Sequence, residues 1–457
     1  MFSKETYIKR RSILKETIGS GVLLFIGNDD CGMNYEDNTY PFRQDSTFLY
    51  YFGLSYPRLT AIINIDDDKE IIFGDELTMD EIVWMGIQPS LKEKSEKTGI
   101  YSTLPYNSIH DYLSKATDKG QKTHYLPPYR AEHEIKLMNW FGIKPSRQTA
   151  SIPFIQGVVN QRIYKSKEEI VEIEKACDIT AEMHLAAIRS VRVGMKEYEI
   201  AAALEEVAYA SGGRLSFPTI ATINGETLHN HFHGNTIKEG DMVLIDAGAE
   251  TPMGYAGDMS STIPAGKKFT SRQKEIYDIQ VASHTASVEA LRPRIPFSDV
   301  YDLSAKVICE GLASLGLMKG SAEDAVRAGA HALFYPCGLG HMMGLDVHDM
   351  ENLGEVWVGY NGKPKSTQFG RKSLRLGREL EAGFVLTIEP GIYFIPQLID
   401  QWRAEKKFTE FIDYDKVEAY KNFGGLRNEE DYLITETGSH RLGKKIPLTT
   451  NEVEALR

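Results

Sequence analysis

The sequence predicts two domains, an α/β domain over residues 1–152 and an α+β domain over 160–457. Three observations lead there. Short apolar runs of strand length recur between residues 22 and 73. Beyond residue 160, capped helical periodicities alternate with strand-like runs, which is the pattern of helices covering a sheet. Within that second part, one strand-plus-acid pattern occurs twice.

In the first domain Val22–Ile26, Phe48–Phe52, Thr60–Ile65 and Glu70–Phe73 read as strands. The aromatic stretch from Tyr40 to Gly53 reads as a strand entering a core, and Ser151–Gln161 as a linker. Ser166 and Glu169 then form a capping box. Ile170, Ile173, Cys177, His184, Ile188 and Val191 continue at helical spacing to Gly194, with His184 a core or boundary histidine. A second helix runs over about Lys196–Ala210. A third is capped by Thr270 and Gln273 and ends before Pro293, and a fourth opens at Ser298 and ends near Gly316.

Composition sets limits. A 457-residue chain with 42% apolar and 25% charged residues is ordinary for a globular protein. A net charge of −12 argues against nucleic acid as a partner, because phosphate binding needs a basic face. No apolar run approaches ~20 residues, so no membrane span is expected, and the charged start does not suit a signal peptide. The four cysteines (Cys31, Cys177, Cys309 and Cys337) have no CxxC spacing and suit a reducing, cytoplasmic setting.

The stretch Asp241–Thr262 reads as two strands joined by a tight turn at Pro252–Gly254, which brings Asp246 and Asp258 onto paired strands. Facing carboxylates repel unless a cation or a shared proton lies between them. The run from Gly240 through Asp246 to Gly248 is echoed from Gly383 through Glu389 to Gly391, and a second acidic strand follows at Glu429-Glu430. Two such pairs suggest two halves related by a pseudo-twofold. Between them lies a glycine-rich segment carrying His341 and His348. Four carboxylates and one imidazole can balance two divalent cations. Oxygen-rich ligation with one nitrogen suits Mn²⁺, with Co²⁺, Zn²⁺ or Fe²⁺ as alternatives. Two ions roughly 3.5–4 Å apart can activate water and polarise a carbonyl. Spacing alone leaves Glu429 and Glu430 both open as the last acid.

The motifs HMMGLDVHD, TIEPGIYF, VLIDAG with GYAGD, and GGLRNEEDYLIT resemble those of the prolidase and aminopeptidase P family, and YPFRQDSTFLYYFG resembles that family's N-terminal domain. The resemblance implies a pita-bread catalytic domain and a dinuclear metallopeptidase that cleaves the bond before proline in short proline-containing peptides. It implies metal ligation by Asp246, Asp258, His341, Glu389 and Glu429, the last chosen by the family's Arg-x-Glu. Arg427, two residues from Glu429 along the strand, would hold a carboxylate in place and belongs with the substrate-side residues. His229 and His348 match histidines that face the substrate, and Glu389 would shuttle a proton. His231 and His233 read as loop residues. Arg375, fourteen residues before Glu389, matches a prolidase arginine that reads a dipeptide's C-terminal carboxylate; the other reading is a solvated arginine beside Arg371 and Arg378. An Xaa-Pro dipeptidase is expected, with an aminopeptidase acting on longer peptides as the alternative. A homodimer is implied, with a tetramer as the alternative. Two positions depart from the pattern. Cys337 stands where the family usually has His, and Asn428 stands where an aliphatic is usual, on the opposite strand face, with a minor effect expected.

Overall fold

In the computed structural model, which describes residues 1–146 and 148–457, the chain divides into two units. The first is Met1–Arg162 with Met350–Trp357, and the second is Ile163–Asp349 with Val358–Arg457.

The first unit holds a five-stranded sheet of β1 (Val22–Ile26), β2 (Thr60–Asn64), β3 (Lys69–Phe73), β4 (Ser102–Leu104) and β5 (Thr123–Tyr125), in the order β4-β3-β2-β1-β5. β1, β2 and β3 are antiparallel neighbours, and the two edge strands run parallel to theirs. Its helices are α1 (Lys4–Ile18), α2 (Ser46–Phe52), α3 (Met79–Met85), α4 (Leu91–Glu96), α5 (Ile109–Asp118), α6 (Ala131–Phe141) and α7 (Ile152–Arg162).

Two expectations fail in this unit. Phe48–Phe52 is helical, not a strand. Asp45 accepts the Phe48 N–H at 2.8 Å as N-cap, and Gly53 closes the helix at φ 63°. Nearly every residue between those caps is buried, so neither period shows in the sequence, and the aromatic composition imitates a strand. Ser151–Gln161 is no linker either. It forms α7, which buries Phe154, Ile155, Val158 and Val159. Gly157 lets α1 approach closely, since a Cβ there would lie 3.1 Å from Leu14 and 3.0 Å from Ile18. Pro153 sits in the first helical turn, where its missing N–H costs nothing.

The second unit is built from two helix pairs and two strand systems. α8 (Lys167–Ser190) and α9 (Glu197–Ala210) precede β6 (Arg214–Leu215), β7 (Ile220–Thr222), β8 (Met242–Ala247), β9 (Ala249–Glu250) and β10 (Met259–Pro264). α10 (Ser271–Ala290), α11 (Phe297–Ser314) and α12 (Ala322–Ala328) precede β11 (Val385–Ile388), β12 (Gly391–Phe394), β13 (Gly424–Arg427), β14 (Glu430–Ile434) and β15 (Ser439–Arg441). The capping boxes at Ser166 and Thr270 form as read. Ser298, however, lies inside α11, whose N-cap is Pro296.

The sequence echo is structural. Gly240 and Gly383 both take left-handed backbones, at φ 87° and 94°, before β8 and β11. Each strand leads to its acid and pairs antiparallel with a second strand, β8 with β10 and β11 with β14. The connection between β8 and β10 is longer than a tight turn, because β9 leaves to pair with β6. Gly248 and Gly257 form its neck. A Cβ on Gly248 would meet the Gly257 carbonyl at 2.0 Å, and one on Gly257 would meet the α8 backbone at Cys177 at 2.8 Å. Among the described residues, no helix is long and apolar enough to cross a membrane.

Candidate metal centre

Strand register brings the acids together. Asp246 of β8 pairs with Ser260 of β10, and Ser260 forms an antiparallel bridge to Glu429. Glu430 pairs with Ile388, so one step further along that register Glu429 meets Glu389. On the other edge of β11, the Glu389 N–H donates to the Leu339 carbonyl at 2.8 Å and the Thr387 N–H to the His341 carbonyl at 3.0 Å. Asp246, Ser260, Glu429 and Glu389 thus form one row across the strands and share a face. Asp258 and Arg427 lie two residues along from Ser260 and Glu429, and His341 stands opposite Thr387, two residues before Glu389, so strand alternation keeps all three on the same side. Glu430 turns the other way, where its carboxylate accepts the Tyr432 hydroxyl at 2.7 Å. Of the two acids that spacing left open, Glu429 is therefore the one on the Asp246 face.

His341 Nε2 lies 3.3 Å from Asp258 Oδ2 and 3.9 Å from Glu429 Oε1. The ligand atoms of this buried trio all fall within 4.8 Å of one another. His341 Nδ1 is 3.1 Å from the Met342 carbonyl, which can only accept, so Nδ1 carries the proton and Nε2 offers its lone pair to the cluster. Burial holds the His341 pKa below its usual value. Burial, and then the charges of Asp246, Asp431 and Glu389, push the Asp258 carboxyl well above the carboxylate range. Glu429 is pushed up the same way, by burial and then by Asp258 and Glu389.

These residues fit a divalent cation. Asp246 Oδ1, Asp258 Oδ1 and Glu429 Oε1 are buried with no hydrogen-bond partner among the described residues. A buried carboxylate oxygen left unpaired costs on the order of 1–3 kcal/mol. Three converging on one face beside a neutral imidazole nitrogen are what a hard cation satisfies.

Arg427 is 3% exposed and already engaged. Its guanidinium donates to Asp246 Oδ2, to Ser260 Oγ at 3.0 Å and to the Tyr393 hydroxyl at 2.8 Å, while Ser260 Oγ donates to Glu429 Oε2 at 2.8 Å. It holds the Asp246 carboxylate directly and the Glu429 carboxylate through Ser260, and it also lines the cavity that opens on the cluster. Ser260 and Tyr393 are common strand residues with no signal of their own; Ser260 is placed by its bridge to Glu429 and Tyr393 by its bond from Arg427. Asp431 was also missed. Its carboxyl accepts the Asp258 N–H at 3.0 Å and the Cys177 thiol at 3.1 Å, and burial pushes it up to about 7.

A cavity of about 720 Å³ opens on this cluster. It is lined by Asp246, Asp258, His341, Glu389, Arg427 and Glu429, and also by His229, His231, His348, Cys337 and Arg375. The His348 ring centroid lies 4.2 Å from that of His341. His229 is exposed at the rim, and burial and Arg427 lower its pKa. Burial pushes the Cys337 thiol up to about 12, so it stays protonated at neutral pH. His184 is a core residue as expected, fully buried between Ser261 Oγ at 2.7 Å and the Ala247 carbonyl at 3.1 Å.

Residues 171–436 match metallopeptidase family M24, and residues 7–125 match the aminopeptidase P N-terminal domain. The human Xaa-Pro dipeptidase is 31% identical over 447 residues, covering 95% of this chain and 88% of the relative. The Xaa-Pro aminopeptidase of Escherichia coli K12 is 31% identical over 471 aligned positions, covering 99% and 98%. The solved structure of E. coli aminopeptidase P with the inhibitor Pro-Leu superposes with a TM-score of 0.82 at 30% identity, covering 100% of this chain and 98% of that one. A match over more than half the chain, together with two relatives above 30% identity, fixes the assignment: the chain belongs to metallopeptidase family M24, in its prolidase and aminopeptidase P group.

Proposed function

We propose that the protein hydrolyses the bond before proline at the N-terminus of short peptides, with Xaa-Pro dipeptides preferred. The observation that carries the reading is that Asp246, Asp258, His341, Glu389 and Glu429 line one cavity with His229, His348 and Arg375. That bond is a tertiary amide with no N–H, so enzymes that read an extended backbone fit it badly. Asp246, Asp258, His341, Glu389 and Glu429 would hold two divalent ions, most simply Mn²⁺ given the oxygen-rich set. Such ions supply activated water and a polarised scissile carbonyl.

The rest falls to this chain's own groups. His229 and His348 donate to the carbonyl oxygen as charge develops on it. Glu389 carries a proton to the proline nitrogen as the C–N bond breaks. Arg427 keeps Asp246 in its ligating orientation. Arg375 pairs with the dipeptide's C-terminal carboxylate, a charge that a longer peptide does not place there.

A second reading, an aminopeptidase acting on longer peptides, is favoured by the 98% coverage of the E. coli aminopeptidase and by a cavity of about 720 Å³, which has room beyond a dipeptide. Hydrolysis of Ala-Pro beside Ala-Pro-Ala, with Mn²⁺ and with chelator, separates the two. Metal-dependent preference for Ala-Pro is expected; equal or better cleavage of the tripeptide hands the site to the second reading.

Two finer assignments belong to the same proposal. The free thiols of Cys31, Cys177, Cys309 and Cys337 fit a cytoplasmic setting. Self-association as a homodimer, or alternatively a tetramer, is supported by the first unit. There Val83 and Trp84 of α3, with Ile87 just beyond it, are 74%, 87% and 89% exposed. Sedimentation of the wild type and Trp84→Ser tests this, and a monomeric wild type refutes it.

A further inference from the structure

His229 stands in a segment with no regular structure between β7 and β8. Its ring is exposed at the cavity rim, so its position depends on the backbone beneath it. That backbone is tied down at two places by one side chain. Glu197, the first residue of α9, is 0% exposed. Its Oε1 accepts the Ile223 N–H at 2.8 Å and the Asn235 Nδ2 at 3.1 Å, and its Oε2 accepts the Asn235 N–H at 3.0 Å. Ile223 and Asn235 stand six residues before and six after His229. A buried carboxylate with three N–H donors is a strong and directional anchor, and the N-terminus of α9 favours its charge.

The surrounding backbone reinforces the hold. Glu197 N–H donates to the Asn235 carbonyl at 3.1 Å, and Tyr198 N–H to the His233 carbonyl at 3.0 Å. Near its start the segment rests on β13, the strand that ends in Arg427. A Cβ on Gly225 would lie 2.3 Å from the Gly425 carbonyl, so the two backbones touch. The His229 segment is thus referenced to the strand that ends in Arg427, two residues before Glu429.

We propose that Glu197 is a positioning residue for His229, closing the segment on which that histidine meets the substrate. The inference rests on the role given to His229 above. Glu197→Gln keeps the shape but turns one acceptor into a donor facing an N–H, which releases one end of the segment.

The test compares wild type, Glu197→Gln, His229→Ala and the double variant on Ala-Pro with Mn²⁺. It adds the Mn²⁺ affinity of each protein and amide hydrogen exchange over Ile223–Asn235. Glu197→Gln should lower kcat by about 10- to 100-fold, the scale of a misplaced catalytic group. It should raise exchange over the segment, leave Mn²⁺ affinity unchanged, and cost nothing further in the His229→Ala background. Asn235→Ala, which removes only one of the three bonds, should shift exchange and kcat in the same direction by less. A multiplicative loss in the double variant, weakened Mn²⁺ binding, or unchanged exchange overturns the proposal. Full activity in His229→Ala overturns the role of His229 itself, and the exchange data then decide separately whether Glu197 holds the segment.

Discussion

Replacing Asn428 by leucine restores an aliphatic at a position read from sequence as minor, and the structure predicts a cost. Asn428 is 2% exposed and turned away from the metal face, toward α10. Its Oδ1 accepts the Tyr277 hydroxyl at 3.0 Å, and its Nδ2 donates to Gln280 Oε1 at 2.6 Å. Gln280 Nε2 donates in turn to the Pro390 carbonyl at 2.7 Å. The relay ties α10 to the residues beside both Glu389 and Glu429. Leucine fills a similar volume but leaves the Tyr277 hydroxyl and Gln280 Oε1 buried without partners, at about 1–3 kcal/mol each. Burying extra apolar surface returns about 1–2 kcal/mol, so a net loss of about 2–3 kcal/mol is expected. Urea unfolding followed by far-ultraviolet circular dichroism reads this as a lower midpoint at unchanged slope. Tyr277→Phe removes one stranded group, so the pair Asn428→Leu and Tyr277→Phe should recover about 1 kcal/mol relative to additivity. Strict additivity, or a neutral Asn428→Leu, would refute the relay.

Arg375→Ala should raise KM for Xaa-Pro dipeptides by about 10- to 100-fold, the worth of one charge-assisted bond; an equal rise for tripeptides sinks the carboxylate-reading role. Asp246→Asn should abolish turnover and reduce bound Mn²⁺ while the circular dichroism spectrum stays that of the wild type, since the amide oxygen can still accept from Arg427; retained turnover refutes ligation. Removing metal should expose a pH dependence with a definite sign. The folded-state pKa values of Asp258 and Glu429 are raised, so without metal these groups favour the fold below about pH 4, and the contribution is lost as pH rises through their raised values. The gap in unfolding midpoint between Mn²⁺-loaded and chelated protein should therefore widen from pH 5 to pH 8, and a narrowing gap contradicts the cluster electrostatics.

The acidic face was legible because its parts are local. Asp246 and Glu389 each follow a glycine-started apolar run, and Asp258 and Glu429 each precede the paired strand, so pattern and period carry the information. Spacing left Glu429 and Glu430 both open; the Arg-x-Glu resemblance pointed to Glu429, and the Ser260 bridge puts Glu429 on the same face as Asp246. The helix at Ser46–Phe52 was illegible for the opposite reason. It is buried all round, so no polar face marks its turn, and only Asp45 and Gly53 give it away. The Arg427–Ser260–Glu429 relay was out of reach altogether, because Ser260 and Glu429 are 169 residues apart and each would be unremarked alone.

The same row explains why the two halves depend on each other. Asp246 and Asp258 come from the first strand system, Glu389 and Glu429 from the second, and the seam is the Ser260–Glu429 bridge. Arg427 crosses that seam to Asp246, offsetting one negative charge and leaving Asp258, Glu429 and Glu389 facing the cavity with His341. Burial of unpaired carboxylates works against closing the seam, whereas a cation held by them would favour closure. With a metal held by these residues, as proposed, folding of the catalytic unit and metal loading would be coupled through one set of atoms. The cost of facing carboxylates, which in a structural core would be a defect, would here become affinity for the ion.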